Sequence, residues 1–162
     1  MIKKIILCFL TINTLISCNI ESESSTSEIN LNDYVIQLND LYNIENDEYS
    51  VYFSSSYCPA CNSLTNDLIN FIKNENRCIE NFYIVDLTNT SEEDFNKMKS
   101  GNAMFDEEII NSTINATSLE QTYFKNAPSL YFFEKIDSTN TLTNLILNYS
   151  EIQNIFINNE IN

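Results

Sequence analysis

The chain has 162 residues, 43% of them hydrophobic and 12% aromatic, and a formal net charge of −15. That length holds one domain with a buried core, and the apolar content excludes a disordered chain in spite of the charge. The absence of His removes Ser–His and Cys–His nucleophile pairs and every His metal site, and a single Gly excludes glycine-rich phosphate loops. A pI near 4.1 argues against nucleic acid, whose binding depends on phosphate neutralisation by Lys and Arg. What remains is the chemistry of carboxylates, hydroxyls, amides and the thiols of five Cys.

Residues 1–17 read as a targeting segment. Lys3 and Lys4 form a short positive region, and Ile5 to Ile16 is an apolar run broken only by Thr11, Asn13 and Thr14. The run is shorter than the ~20 apolar residues that a membrane-spanning helix needs. It ends in Leu15-Ile16-Ser17-Cys18, which resembles a bacterial lipobox. The resemblance implies cleavage before Cys18, lipidation of that cysteine, and an extracytoplasmic protein anchored to a bacterial membrane by lipid. Residues 18–33 then form the lipidated cysteine and a flexible tether, rich in Ser and Glu and without apolar periodicity. The folded domain is expected over 34–162. Loss of Lys3 and Lys4 leaves six basic residues against 23 acidic ones, so the anchor rather than the protein surface would hold the chain at an anionic membrane.

Within the folded part, Tyr34 to Leu38 alternates like a strand, and Asn39 to Asn46 reads as a short helix. Tyr49 to Ser54 is aromatic and β-branched, hence a strand. Leu64, Leu68, Phe71 and Ile72 recur at helical spacing, which predicts an amphipathic helix from Cys58 to about Glu75. Asn81 to Leu87 is a second apolar strand, so strand, helix and strand form a βαβ unit with a parallel pair. Ser91-Glu92-Glu93-Asp94 looks like a capped helix start, with Gly101 as its stop. Met104 to Ile110 reads as another helix, and Ser118-Leu119-Glu120-Gln121 as a capping box opening a helix toward Lys125. Ser129 to Glu134 and Thr141 to Asn148 are strands of a hairpin turning at Asp137 to Asn140, and Ser150 caps a terminal helix.

The reactive constellation is Cys58-Pro59-Ala60-Cys61, between a strand and a helix. At a helix N-terminus, unpaired N–H groups and the helix dipole favour a thiolate. Cys61 lies one turn later on the same side. One thiolate can attack a disulfide and the other can resolve the mixed disulfide. Pro59 suits the first helical turn, where a missing N–H matters little. A zinc half-site would need two more soft ligands, and the folded part offers no His and only Cys78; no metal site is expected. A structural disulfide across so small a loop would stabilise little. Cys78 reads as a buried or half-buried free thiol, and Cys8 falls within the cleaved signal. Ser55, three residues before Cys58, forms a Ser-x-x-Cys pattern of peroxidase type, but Arg77 at the far helix end cannot supply the Arg that such a site wants.

Val51 to Cys61 resembles the active-site region of the thioredoxin superfamily, and Gln121 to Leu130 resembles that family's third helix running into its cis-proline and next strand. The resemblance implies an α/β fold with a central mixed sheet flanked by helices. It makes Ala127-Pro128 a cis bond beside the cysteine pair, with the Ala127 backbone pairing with an extended substrate. A helical insertion, about 91–117, precedes the cis-proline; it reads as acidic decoration or a partner surface, with decoration favoured. Three departures stand out. Tyr52 occupies a position where the family often has a buried acid, Tyr57 replaces a common Trp, and Pro59-Ala60 replaces the Gly-Pro of cytosolic thioredoxins. The implied function is an extracytoplasmic thiol–disulfide oxidoreductase, with Cys58 as nucleophile, Cys61 as resolving thiol and Ala127 and Pro128 as substrate-binding residues. It would act on protein thiols or disulfides with a redox partner protein and without a cofactor. The alternative is a non-enzymatic surface lipoprotein that uses the same shell as a binding module.

Overall fold

The structure, a computed structural model, describes residues 29–161; residues 1–17, Cys18 and most of the expected tether lie outside them. In chain order the elements are β1 (Glu48–Ser54), α1 (Pro59–Lys73), β2 (Phe82–Asp86), α2 (Glu92–Phe95), β3 (Lys99–Ser100), α3 (Asp106–Thr113), β4 (Tyr123–Phe124), β5 (Ser129–Ile136), β6 (Thr139–Ile146) and α4 (Tyr149–Asn158). The main sheet has the order β2-β1-β5-β6. Its β1–β2 pair is parallel, and its β1–β5 and β5–β6 pairs are antiparallel. Tyr49 to Phe53 of β1 are all buried, as a strand covered on both faces requires.

Side chains alternate across the strands and build a core on each face. On one face Tyr52, Phe82, Ile84 and Leu130 meet Leu64, Leu68 and Phe71 of α1 and Ile152, Ile155 and Phe156 of α4. The rings of Phe71 and Phe156 lie 5.3 Å apart. On the other face Val51, Phe53, Tyr131, Phe133 and Leu142 are covered by short segments carrying Leu38, Leu41, Met98, Ile109, Leu119 and Phe124. The central four-stranded mixed sheet flanked by helices is that of a thioredoxin-like fold. The insertion is not decoration, however. Met98 and Ile109 are core residues, and Asn115 N–H and Leu142 N–H bond to the carbonyls of Leu142 and Ala116 at 2.8 and 2.9 Å. Removal of this segment would strip one face of the sheet.

The central βαβ unit and the hairpin follow the sequence expectation; several peripheral elements do not. Tyr34 to Leu38 is not a strand. A 3-10 helix spans Leu31–Tyr34, started by the Asn30 side chain accepting from Asn32 N–H. Only Val35 then bridges to Ile84, at the edge of β2. Ile29 and Leu31 already pack on the first core, ahead of residue 34. The helix expected at Asn39 to Asn46 shrinks to a 3-10 turn, Leu38–Asp40. Beyond it the Asn140 side chain donates to the carbonyls of Tyr42 and Ile44 at 3.0 and 2.7 Å, which holds that stretch non-helical.

The helix capped by Ser91 ends at Phe95, because Lys99–Ser100 pairs in parallel with Tyr123–Phe124. The same pairing overrides the helix expected from Ser118 toward Lys125. Only a 3-10 turn, Leu119–Gln121, forms there, with no side-chain cap from Ser118. The third helix implied by the family resemblance is therefore absent from this segment. The helix expected at Met104 to Ile110 is shifted to Asp106–Thr113, its first turn tied by Phe105 N–H to Glu108 at 2.9 Å. Asn148, not Ser150, caps the last helix. The hairpin turn narrows to Asp137 and Ser138, whose φ values of 49° and 66° suit a two-residue turn between twisted strands.

Gly101 is no helix stop. It lies where the insertion closes on itself: a Cβ built there would stand 2.8 Å from Ile109 Cδ1 and 3.3 Å from the Phe124 carbonyl oxygen. Gly101→Ala is therefore expected to destabilise the fold by about 1–3 kcal/mol through overpacking, measured as a lowered midpoint in urea denaturation.

Candidate active site

The reactive end is built where β1 runs out. Ser54 is the last residue of β1, residues 55–57 turn, and Cys58 is the N-cap of α1 with Pro59 at the first helical position. The Cys58 sulfur takes the role usually given to a Ser or Asp oxygen: it accepts from Cys61 N–H at 3.1 Å. The turn is held by Thr88, just past β2. Its hydroxyl accepts from Ser56 N–H at 2.8 Å and bonds to the Ser56 hydroxyl at 3.1 Å. Asn62 reaches back to the Ser56 carbonyl at 3.1 Å. Thr88 and Asn62 were missed in the sequence reading, since nothing in their local pattern shows that the end of β2 lies beside this turn. Ser55 serves the same turn by accepting from Tyr57 N–H at 3.3 Å.

The β1–β5 pairing brings the second half of the site. Phe53 lies opposite Ser129, so the residues just before β5 fall beside the turn after β1. The Ala127–Pro128 bond is cis and Pro128 is buried. The Cys58 thiol donates to the Ala127 carbonyl at 3.3 Å. Cys58, Cys61, Ala127 and Pro128 thus come together, although 69 positions separate Cys58 from Ala127. Pro59 is exposed and Ala60 half-buried at the helix start.

The two thiols are not equivalent. Cys58 is half-buried, whereas Cys61 is only 3% exposed. Burial, and then the hydrogen bond with the Cys58 thiol, push the Cys61 thiol up to about 11. Among the described residues Cys58, Cys61 and Cys78 are all free thiols. Tyr52 is fully buried on β1, and its hydroxyl has no hydrogen-bond partner. The carboxylate at the end of β2, Asp86, is turned to its own loop, accepting from Thr88 N–H at 2.9 Å and from the Asn89 side chain at 2.7 Å.

Beside Cys58 opens a groove of about 500 Å³, lined by Tyr57, Leu87, Glu92, Phe95, Phe124 and Ala127 among others. Tyr57 is 83% exposed at its rim. Phe95, Glu92 and Phe124 come from the insertion and β4, so these segments shape the surface next to the thiol. A second hollow, of about 560 Å³, lies at the opposite end of β1 around Glu48, Cys78 and Glu80.

Cys78 is exposed, not buried, because it sits in the loop after α1 with its N–H bonded to Asn159 at 2.6 Å. The length of α1, about 22 Å at 1.5 Å per residue, separates it from the pair. Arg77 is engaged there with the carbonyls of Ile72, Ile79 and Glu80. Among the described residues no group of three His, Cys, Asp or Glu side chains is placed to hold a metal. Among them, too, no helix is long and apolar enough to cross a membrane. Cys18 lies outside the described residues.

Because folding raises the Cys61 thiol, the native chain holds that proton more tightly than the unfolded chain. This stabilisation is complete below the ordinary value of 9.0 and is lost as pH rises through about 11. With a phosphine reductant present, wild-type stability is expected to fall between pH 9 and 11 more steeply than that of Cys61→Ala, measured by urea denaturation. In the folded chain at about pH 8, iodoacetamide is expected to label Cys58 and spare Cys61, as read by peptide mass spectrometry.

No protein-family model matches the chain, and no curated protein matches it. Among solved structures, the chain is similar to a crystal structure of a thioredoxin from Plasmodium falciparum. The likeness covers 75% of this chain and 84% of that one, at 18% identity and a TM-score of 0.40. The fold assignment stands on this chain's own sheet order and strand directions, and the site on the proximity of Cys58, Cys61 and the cis-proline.

Proposed function

We propose that the chain is a thiol–disulfide oxidoreductase acting on protein substrates outside the cytoplasm, held at a membrane by lipid on Cys18. The observation that carries the redox reading is the pairing of a half-exposed thiol at a helix N-terminus with a buried thiol one turn on, beside a cis-proline. The chemistry follows from that arrangement. The Cys58 thiolate attacks a client disulfide, forming a Cys58–client bond and releasing one client thiolate. Cys61 then attacks the Cys58 sulfur, forming the Cys58–Cys61 disulfide and releasing the second client sulfur. Run in reverse, the same steps oxidise a client dithiol, and the redox partner sets the direction.

The Ala127 backbone and the apolar groove suit an extended client segment laid across Cys58. The buried position of Cys61 suits resolution rather than first attack. Support for the anchor and the location is confined to the sequence: the positive region, the short apolar run and Leu15-Ile16-Ser17-Cys18.

A second reading, a binding module without exchange activity, has the 78% exposed Phe105 on the insertion in its favour. The two readings separate on exchange with a glutathione-linked peptide. Cys58→Ala is expected to abolish exchange, while Cys61→Ala is expected to accumulate a mixed disulfide stable to gel electrophoresis without reductant. A wild-type chain inert toward the peptide would favour the binding module. For the anchor, Cys18→Ala is expected to abolish incorporation of a labelled fatty acid and to move the protein out of the membrane fraction; label retained on the variant would overturn the anchor.

A further inference from the structure

Resolution demands a thiolate that this site makes scarce. Burial holds the Cys61 thiol above its ordinary value, so its thiolate is scarce at neutral pH. An anion forming at a 3% exposed sulfur also needs a hydrogen-bond donor there, since water has little access. Asp86 is committed to its own loop. The polar neighbours of Cys61 are Cys58 on its own helix, Ser54, the Ser55 backbone, and Tyr52 on β1. The other elements around this core contribute apolar side chains, Leu130 from β5 and Ile152 and Phe156 from α4.

Tyr52 is the unexplained member of that set. Its ring packs edge-on against Phe156 at 5.4 Å, as a Phe ring also would. Its hydroxyl is buried, unpartnered and beside Ser54 and Cys61. A buried hydroxyl without a partner destabilises the fold, so core packing gives no reason for it. Burial, and then the neighbouring Cys61, hold this phenol far above its ordinary range, so it stays protonated and keeps an O–H to donate.

We propose that Tyr52 is a positioning residue for exchange: its hydroxyl is idle in the dithiol state and donates a hydrogen bond to the Cys61 sulfur as that sulfur becomes a thiolate. The proposal rests on the oxidoreductase reading. The balance is complete without another acid. Cys61 gives up its proton, its electron pair forms the bond to Cys58, the Cys58–client bond breaks, and the released client sulfur takes up a proton. Tyr52 keeps its own proton throughout. A neutral donor stabilises the anion without placing a second charge beside it, which a carboxylate would do.

The test uses the full-length chain carrying Cys8→Ser, Cys18→Ser and Cys78→Ser, so that the pair supplies all the thiols. Reaction with dithiobisnitrobenzoate releases one thionitrobenzoate when Cys58 is captured and a second when Cys61 resolves the mixed disulfide. Tyr52→Phe is expected to leave the first release unchanged and to slow the second at least tenfold at pH 7. The deficit should narrow as pH approaches 11, and thermal stability should stay equal or rise. An unchanged second release overturns the proposal, as does a slowed one accompanied by loss of stability, which would make the hydroxyl a structural group. A parent chain with no first release would instead overturn the exchange reading, and the proposal with it.

Discussion

The reactive end depends on the register of the antiparallel β1–β5 pair. Phe53 opposite Ser129 brings the Ala127–Pro128 bond beside the turn that carries Cys58. A slip of one residue would turn every side chain of one strand to the opposite face. Tyr52 would leave the α1–α4 side, and Ala127 would lose its place beside the Cys58 sulfur. The register is pinned from both faces, because Tyr52 and Leu130 pack on one core while Phe53 and Tyr131 pack on the other. A strand buried on both sides has no tolerated alternative alignment. That is why the site can rely on a backbone carbonyl as a positioned partner.

The second face of the sheet explains the insertion. A long helix does not cover Val51, Phe53 and Phe133; short pieces from 38 to 124 do. Each piece is too brief to fold alone. They are held by buried apolar residues, by the β3–β4 pairing and by side chains bonded to backbone, such as the Tyr49 hydroxyl to the Leu41 carbonyl at 2.7 Å. The same segment places Glu92, Phe95 and Phe124 around the groove beside Cys58. Covering the core and shaping the groove beside Cys58 are therefore done by one stretch of chain. Gly101 sits at its tightest point, against Ile109.

The cysteine pair divides its work by position. Cys58 caps the helix, accepts from Cys61 N–H and reaches the groove. Cys61 is sealed behind it, near hydroxyls rather than a free carboxylate. Burial protects the second thiol from outside reagents and makes its ionisation unfavourable. An anion that forms there needs support from hydrogen bonds already in place. The Tyr52 hydroxyl on β1 is buried without a hydrogen-bond partner, a polar group kept at some loss of stability.

Much of this molecule was legible along the chain. The run Tyr49 to Phe53 and the helical spacing of Leu64, Leu68, Phe71 and Ile72 are local signals that the structure follows, and the turn signal of Asp137 to Asn140 contains the two-residue turn it adopts. Cys58, Pro59 and Cys61 lie within one helical turn, so their grouping needed no tertiary information. Three of the failures share one cause. Ser118 and Ser91 carry sound helix-start patterns, yet the β3–β4 pairing claims the residues that follow them, and Asn140 claims the carbonyls of Tyr42 and Ile44. Those are contacts between distant residues, which no local pattern encodes. Composition and local patterning by themselves determined the central βαβ unit and the grouping of Cys58 with Cys61 at one helix start. Only the tertiary structure decided that Thr88 holds the turn before Cys58, that Cys78 faces solvent, that the insertion belongs to the core and that the Tyr52 hydroxyl stands beside Cys61. Each of these depends on which strand lies next to which, and strand order is set by burying both faces of one sheet at once.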